Sequence, residues 1–168
     1  MAQDFLLRIA TPVDLAAVDD LLARSYPRLL AADYPPSVLV TALPLISRAR
    51  PELLASGSYY VAETAEGTIL GAGGWTPGAP ADGRVEGGVG HVRHLVTDYR
   101  ALRQGIARAI MTVSIRAARK AGCTALDCLS TRTAVPFYAT LGFQTLGPVT
   151  ITLRPGIEFP AIRMARAL

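Results

Sequence analysis

The sequence predicts a mixed α+β fold, in which one mostly antiparallel sheet of about seven strands carries helices on both faces. Two observations lead to this prediction. Short β-forming runs alternate with amphipathic stretches along the chain. In addition, a helical stretch separates two strand-like runs between residues 89 and 130, and such a crossover makes its two strands parallel. At 168 residues the chain fits one domain, residues 1–168, with a single core.

The first part of the chain predicts one strand and two helices. Residues 5–9 form an apolar run that ends just before Thr11, which can cap a helix. We expect that helix to end near Tyr26, because the residue before a proline disfavours helical backbone. A second helix begins around Pro36, and we expect Pro44 to shorten or kink it.

The middle of the chain predicts three strands and a loop. Residues 58–63 and 68–75 are rich in β-forming residues and are separated by a short turn, so they predict a hairpin. Residues 76–88 contain mainly Pro, Gly, Ala and Asp and predict a loop. Extended structure resumes at residues 89–97.

The second half predicts alternating helices and strands. Apolar residues recur at helical spacing over residues 104–121, and Gly122 is the expected end of that helix. The remaining predicted elements are a strand, a short helix and two strands, at residues 124–129, 133–141, 143–146 and 157–164. No internal repeat or linker interrupts this order.

Charge is distributed unevenly along the chain. Residues 1–86 carry six Lys/Arg against ten Asp/Glu, a formal charge of −4, whereas residues 87–168 carry eleven against three, a formal charge of +8. This asymmetry predicts an anionic partner for the second half: nucleic acid, membrane phosphate or a polyanionic cofactor. The arginines are scattered and no nucleic-acid-binding module is recognisable, which disfavours nucleic acid.

Apolar stretches and cysteines predict the compartment. No stretch approaches the roughly 20 apolar residues that span a bilayer, and residues 1–4 lack the character of a signal peptide, so we expect a cytoplasmic protein without a membrane partner. Cys123 and Cys128 lie five residues apart in one short apolar segment of extended character. Residues five apart in a strand point to opposite faces, so we expect no disulfide between them. The cysteines and histidines show no metal-ligand spacing.

The turn that follows the strand at residues 89–97 carries the clearest chemical signal. The first N–H groups of a helix have no intrahelical partner, and the helix dipole is positive there, so a helix start binds anions. Gly105 allows an anion to approach the backbone, Ala107 adds little bulk, and Arg103 and Arg108 add positive charge. The turn therefore predicts a pyrophosphate-binding site.

Three segments together resemble the GNAT superfamily of N-acetyltransferases. They are residues 103–111 (RQGIARAIM), 134–138 (AVPFY) and 141–143 (LGF), and their order and separation of roughly thirty residues are similar to the family's two core motifs. Residues 60–63 and 71–75 resemble its central hairpin, so the resemblance spans nearly the whole chain. It implies a sheet that splays at its parallel pair, acetyl-CoA as the cofactor, and direct acetyl transfer to a primary amine.

The resemblance also implies roles for particular residues. The amides of the turn would bind the CoA pyrophosphate, and one strand end would pair with the pantetheine arm. The cofactor-binding residues implied are Leu95, Val96, Thr97, Arg103, Gln104, Gly105, Ile106, Ala107, Arg108 and Thr131. Tyr138 falls on the family's frequent general-acid position, where a phenol can protonate the departing thiolate. The chain departs from the family at Leu102, where Arg or Gln is usual, and at Thr131, where Asn is frequent.

The general base is open at this point. His91 occupies the position where many relatives carry Glu, and an imidazole with a pKa of about 6.5 suits proton abstraction. Strand alternation predicts that His91 and His94 point to opposite faces, so that only one faces the acceptor. Glu86, Asp98 and a water-mediated base are further candidates. The candidate walls of the acceptor pocket are Tyr26, Tyr34, Trp75 and Phe159.

Several alternatives stay open as well. A non-catalytic acyl-CoA-binding or sensing domain would keep the turn and lose turnover, and Leu102 and the unassigned base motivate that alternative. The acceptor is an amine of a small molecule or of a peptide. Short edge strands leave a homodimer open.

Overall fold

The structure, a computed structural model, describes residues 3–168. The strands are Leu6–Ile9 (β1), Tyr59–Glu63 (β2), Ile69–Thr76 (β3), Val89–Thr97 (β4), Ala125–Ser130 (β5), Gln144–Arg154 (β6) and Ile157–Ala167 (β7). The α-helices are Leu15–Leu30 (α1), Pro36–Ile46 (α2), Pro51–Leu54 (α3), Ile106–Lys120 (α4) and Val135–Thr140 (α5). The strands form one seven-stranded sheet in the order β1-β2-β3-β4-β5-β7-β6. This sheet confirms the predicted α+β fold.

The parallel pair lies at the centre of the sheet. Strands β4 and β5 are parallel, whereas all other neighbours are antiparallel. Their pairing runs only from Val89↔Ala125 to His91↔Asp127, although β4 continues to Thr97. Beyond His91 the two strands separate, so the sheet splays into two halves as the resemblance implied.

Helices cover both faces of the sheet. Helices α4 and α5 contribute Met111, Ile115 and Tyr138 to a cluster that includes Val92, and we call this side the α4 face. Helices α1, α2 and α3 pack on the opposite side, which we call the α1 face. The α1-face cluster includes Leu21, Leu39, Leu54, Val96 and Phe159. None of the helices within residues 3–168 has the length and apolar character needed to cross a membrane.

Two glycines of β3 allow α4 to pack closely on the sheet. A Cβ at Gly71 would lie 2.5 Å from the Ile106 side chain of α4, and a Cβ at Gly73 would lie 3.1 Å from the Ile110 side chain of α4 and 2.5 Å from the Leu95 side chain of β4. Side chains at these positions would push α4 away from β3. The N-terminus of α4 is thereby held against the splayed end of β4.

Strand β4 contains a bulge at His94. From Gly74↔Arg93 to Ala72↔Val96, β3 advances by two residues and β4 by three. His94 adopts a φ of 49°, which is unusual for a residue with a side chain. The extra residue interrupts the alternation of side chains on which the sequence-based face assignment rested.

Some predicted boundaries are wrong. Helix α1 continues past Pro27 to Leu30, because Tyr26 and Leu30 are buried in the α1-face core and their packing outweighs the local preference against helix. Helix α2 runs uninterrupted through Pro44, and the short helix α3 was not predicted.

The last hairpin is longer than predicted. Strands β6 and β7 have 11 residues each, and β6 includes Gly147 and Pro148. A proline is tolerated there because β6 is an edge strand with one side free of hydrogen bonds. Cys123 lies before β5 rather than inside it, and both cysteines are free thiols.

Candidate active site

The turn between β4 and α4 presents free backbone amides. Gly105 is the N-cap of α4 with a φ of 81°, and Arg103 also has a positive φ, of 59°. Ala109 donates the first hydrogen bond of the helix, to the Gly105 carbonyl at 2.9 Å. Within residues 3–168, no hydrogen bond from the amides of residues 102–108 is found. The residues that the sequence predicted for pyrophosphate binding therefore share one turn whose donors are available.

Positive charge surrounds this turn. Arg103 forms no ion pair with a described carboxylate, and Arg108 donates to the Thr140 hydroxyl at 3.1 Å. Arg28 of α1 stacks over the Tyr99 ring, with its guanidinium carbon 4.5 Å from the ring centroid. Sequence reasoning missed Arg28, because it comes from the acidic half of the chain and only folding brings it to the loop.

Asp98 anchors the beginning of the loop. Its carboxylate is 1% exposed and accepts hydrogen bonds from Arg24 Nε at 3.0 Å and from the Arg100 backbone amide at 2.9 Å. Burial alone would raise the pKa of Asp98, but the bonds from Arg100 and Arg24 outweigh it and lower the pKa to about 2. A carboxylate held in this way is an anchor and a poor proton acceptor, which argues against Asp98 as the base. Glu86 lies exposed in its loop.

The splayed end of β4 has one free edge. Leu95, Val96 and Thr97 belong to the segment that pairs with β3, through Ala72↔Val96 and Gly71↔Thr97, and the pairing with β5 has ended by then. An extended ligand can therefore add to this edge through backbone hydrogen bonds. Thr131 lies just after β5, where its hydroxyl oxygen accepts a hydrogen bond from the Ala134 amide at 3.2 Å. Its own hydroxyl hydrogen finds no acceptor among residues 3–168.

Tyr138 lies on the α4 face, close to the fork between β4 and β5. It is 5% exposed, and its ring meets Phe143 edge to face at a centroid distance of 5.3 Å. Burial, together with the neighbouring Cys128 thiol, raises the pKa of Tyr138 well above its ordinary value. The phenol is therefore protonated at neutral pH and can donate a proton.

Cys128 is not an activated nucleophile. Burial raises the pKa of its thiol to about 12, so the reactive thiolate is absent at neutral pH. The Tyr138 hydroxyl also influences this thiol through a hydrogen bond. Cys128 is best described as a neighbour of Tyr138 in the α4-face core.

His94 is structural. Its Nε2 lies 2.9 Å from the Ile46 carbonyl, and because a carbonyl only accepts, Nε2 carries the proton. Burial lowers the pKa of His94 to about 4, so the ring is neutral. Its ring also meets Tyr26 edge to face. These contacts leave His94 without access to an acceptor.

His91 lies on the same face as His94. Val92 points to the α4 face, so His91 points to the α1 face, beside its strand neighbours Thr76 and Asp127. The prediction of opposite faces is therefore wrong. Regular alternation would place residues three apart on opposite faces, but the extra residue at the His94 bulge shifts the alternation by one, so both side chains lie on the α1 face.

One ring nitrogen of His91 is unpartnered among the described residues. Its Nε2 is buried, and among residues 3–168 it has no hydrogen-bond partner. Burial lowers the pKa of His91 below its ordinary value, so the imidazole is neutral at pH 7. Between the two histidines, His91 is the one with a ring nitrogen that lacks a hydrogen-bond partner within residues 3–168.

A cavity of about 120 Å³ lies at the fork. It is bounded by the loop between β3 and β4 and by the ends of the parallel pairing. The lining residues are Ala79, Pro80, Ala81, His91, Val92, Asp127, Cys128 and Leu129. The cavity therefore connects His91 with the place where β4 and β5 separate.

The predicted wall residues are distributed over both faces. Tyr34 stacks on Phe159 on the α1 face, with centroids 4.7 Å apart, and its hydroxyl links the Pro160 carbonyl and the Arg132 amide. This link ties the α1–α2 loop to the loop after β5. Trp75 packs in the α4-face cluster, so it does not line a pocket on the α1 face.

The arrangement defines a class of protein. An amide-lined turn suits a diphosphate, the adjoining free strand edge suits an extended arm, and a buried phenol lies close to the fork between β4 and β5. These are the requirements of a transferase that takes an acyl group from coenzyme A. The acetyltransferase (GNAT) domain matches residues 32–165, and the chain belongs to this family. It is an acetyl-CoA-dependent N-acetyltransferase.

Solved structures share this fold. A GCN5-related N-acetyltransferase from Rhodopseudomonas palustris has a TM-score of 0.78 and 19% identity, covering 100% of this chain and 98% of that chain. The paia N-acetyltransferase from Thermoplasma acidophilum, in complex with coenzyme A, has a TM-score of 0.72 and 13% identity, and the match covers 99% of this chain and 100% of that chain. Identities this low show the fold alone. Among curated proteins, no sequence matches this chain.

The family assignment decides between two earlier alternatives. It confirms the predicted family, the enzyme class and acetyl-CoA as the cofactor. A non-catalytic CoA-sensing domain is therefore not needed to explain Leu102, which is 46% exposed at the turn.

Proposed function

We propose that residues 1–168 act as one domain that transfers an acetyl group directly from acetyl-CoA to a primary amine, with Tyr138 as general acid and His91 as general base. The observation that carries this proposal is their placement. A protonated buried phenol and a neutral imidazole with a free nitrogen flank the fork between β4 and β5 from opposite faces.

The described residues fit the cofactor. The amides from Arg103 to Arg108 would hold the pyrophosphate, the free edge of β4 at Leu95, Val96 and Thr97 would hold the pantetheine arm, and the Thr131 hydroxyl would donate to it. Acetyl-CoA, when bound, supplies the acetyl group as an activated thioester. The unpaired amides of the turn support this assignment, since a helix start without partners attracts phosphate oxygens.

In the proposed reaction, His91 would accept a proton from the acceptor nitrogen and Tyr138 would donate a proton to the departing sulfur. A new bond forms between the acceptor nitrogen and the acetyl carbonyl carbon, and the carbon–sulfur bond breaks. Of the three protons on the acceptor ammonium, one remains on the amide, one passes to His91 and then to solvent, and one restores the proton that Tyr138 gives to sulfur. The raised pKa of Tyr138 does not prevent this donation, because the same burial also raises the basicity of a departing thiolate.

Cys128 supports direct transfer. A thiol with a pKa of about 12 does not form an acetylated intermediate at neutral pH. This supports direct attack of the amine on the thioester.

The test compares two tyrosines in an assay of thiol release from acetyl-CoA with a panel of primary amines. We expect Tyr138→Phe to reduce kcat by about 10²- to 10⁴-fold, the usual contribution of a general acid, while acetyl-CoA affinity measured by calorimetry stays unchanged. Tyr60→Phe is the matched control, since Tyr60 is also buried but lies on β2. Equal kcat values for the two variants would remove Tyr138 from the mechanism.

We also propose a cytoplasmic location and a homodimer. Free thiols at Cys123 and Cys128 support a reducing compartment. The 11-residue edge strand β6 offers unpaired backbone groups to a second copy. Light scattering would show the dimer, and a monomer at micromolar concentration would contradict it.

A further inference from the structure

The cavity at the fork holds one carboxylate among apolar walls. Asp127 is the only acidic side chain of its lining, and Ala79, Pro80 and Leu129 offer no side-chain hydrogen bonds. Asp127 is the direct neighbour of His91 across the parallel pairing. A carboxylate in this position attracts an ammonium group and brings it close to His91, the imidazole that would accept the ammonium proton.

One oxygen of Asp127 is held and the other is free. Arg163 of β7 donates from Nη2 to Asp127 Oδ2 at 2.9 Å, which fixes the orientation of the carboxylate. Within the described part of the chain, Oδ1 accepts no hydrogen bond. The Asp127 side chain is 22% exposed, so the free oxygen is partly desolvated and remains accessible. The Arg163 guanidinium thus orients the Asp127 carboxylate so that Oδ1 can bind a second cation.

We propose that Asp127 binds the ammonium group of the acceptor through Oδ1 and positions it beside His91, and that the acceptor enters on an unbranched, uncharged arm. This inference rests on the proposed transfer to a primary amine and adds the chemistry of the acceptor end. It assigns Asp127 as an acceptor-binding residue and Arg163 as the residue that orients it.

The size of the cavity limits the acceptor. Pockets that enclose drug-sized ligands have about 300–1,000 Å³, whereas this one has about 120 Å³. Only the amine and the first carbons of an acceptor fit inside. A carboxylate attached next to the amine would meet the like charge of Asp127, so an α-amino acid is disfavoured.

The charges around His91 agree with this role. The groups that face it are Asp127 on β5, Arg93 on β4, Glu86 in the preceding loop and Arg163 on β7. Asp127 stabilises positive charge on the acceptor nitrogen before proton transfer and on His91 after it. Because the carboxylate attracts the proton on either nitrogen, it binds the ammonium without blocking the transfer.

Kinetics with a defined probe tests the proposal. With n-butylamine as acceptor, we expect Asp127→Asn to raise the KM for the amine by about tenfold or more, as expected for a lost charge-assisted hydrogen bond. The KM for acetyl-CoA should not change. Asp20→Asn, an exposed carboxylate on α1, is the matched control and should keep all constants. An unchanged KM for n-butylamine in Asp127→Asn would overturn the assignment.

A binding measurement separates this inference from the proposed transfer. The chain has only two histidines, so their ring proton signals can be followed by NMR in the presence of coenzyme A. We expect n-butylammonium, but not n-butanol at equal ionic strength, to shift the His91 signal and leave His94 in place. This shift requires no turnover and no variant. A response to n-butanol of the same size, or no response to n-butylammonium, would contradict ammonium binding even if other amines are acetylated.

Discussion

The Tyr59 hydroxyl donates a hydrogen bond to the His94 carbonyl at 2.7 Å. His94 is the residue with positive φ at the bulge of β4, and Tyr59 is 1% exposed on β2. The bond satisfies a carbonyl that the bulge takes out of the regular ladder. A side chain two strands away therefore stabilises the part of β4 that leads to its free edge.

Removing this hydroxyl should destabilise the protein. We expect Tyr59→Phe to lower the free energy of unfolding by about 1–3 kcal/mol, because the His94 carbonyl becomes a buried acceptor without a donor. Urea denaturation measures this change. Tyr60→Phe is the control, since the Tyr60 hydroxyl makes no hydrogen bond within residues 3–168. Equal stability of the two variants would show that the bulge does not depend on Tyr59.

A pair of glycines tests the phosphate turn. Gly105 and Gly57 have nearly equal φ values, 81° and 79°, and open space beside each Cα. Alanine at either position costs about 1 kcal/mol of backbone strain. Only Gly105→Ala should weaken coenzyme A binding, by roughly tenfold, because it displaces amides that bind phosphate. Calorimetric titration of both variants compares them, and equal loss of affinity would argue against the turn as the binding site.

Asp98 should contribute stability that depends on pH. Its folded pKa of about 2 lies below the ordinary value of about 3.9, so its stabilisation is fully present above pH 4 and is lost as pH falls towards 2. We expect Asp98→Asn to lower the free energy of unfolding by about 2 kcal/mol at pH 7. The difference from the unmodified protein should shrink as pH falls from 5 to 2 in denaturation experiments. A constant difference would mean that the carboxylate charge is not the cause, and Asp20→Asn gives the baseline.

Local patterns predicted most of this molecule, and long-range contacts explain the rest. The phosphate turn was predictable, because Gly105, the arginines and the start of α4 are adjacent in sequence. The bulge at His94 was not, because its hydrogen bond comes from Tyr59, and no local signal marks it. The same limit applies to the Asp98 anchor, which depends on Arg24 from α1. Tyr138 was placed by resemblance alone, and its role stays a proposal.

His91 gives the last prediction, which concerns the acid limb of the pH profile. Burial lowers the pKa of His91 below its ordinary value of about 6.5, so the neutral imidazole dominates at pH 7. The ring becomes protonated, and can no longer accept a proton, as the pH falls through this lowered pKa. With an amine acceptor, kcat/KM should rise with pH to a plateau that begins near or below pH 6.5. In His91→Gln the plateau should disappear, and kcat/KM should follow the fraction of unprotonated amine, rising about tenfold per pH unit towards the amine pKa near 10. His94→Gln does not serve as the control, because it breaks the bond to Ile46. If His91→Gln keeps the plateau, another group or solvent removes the proton.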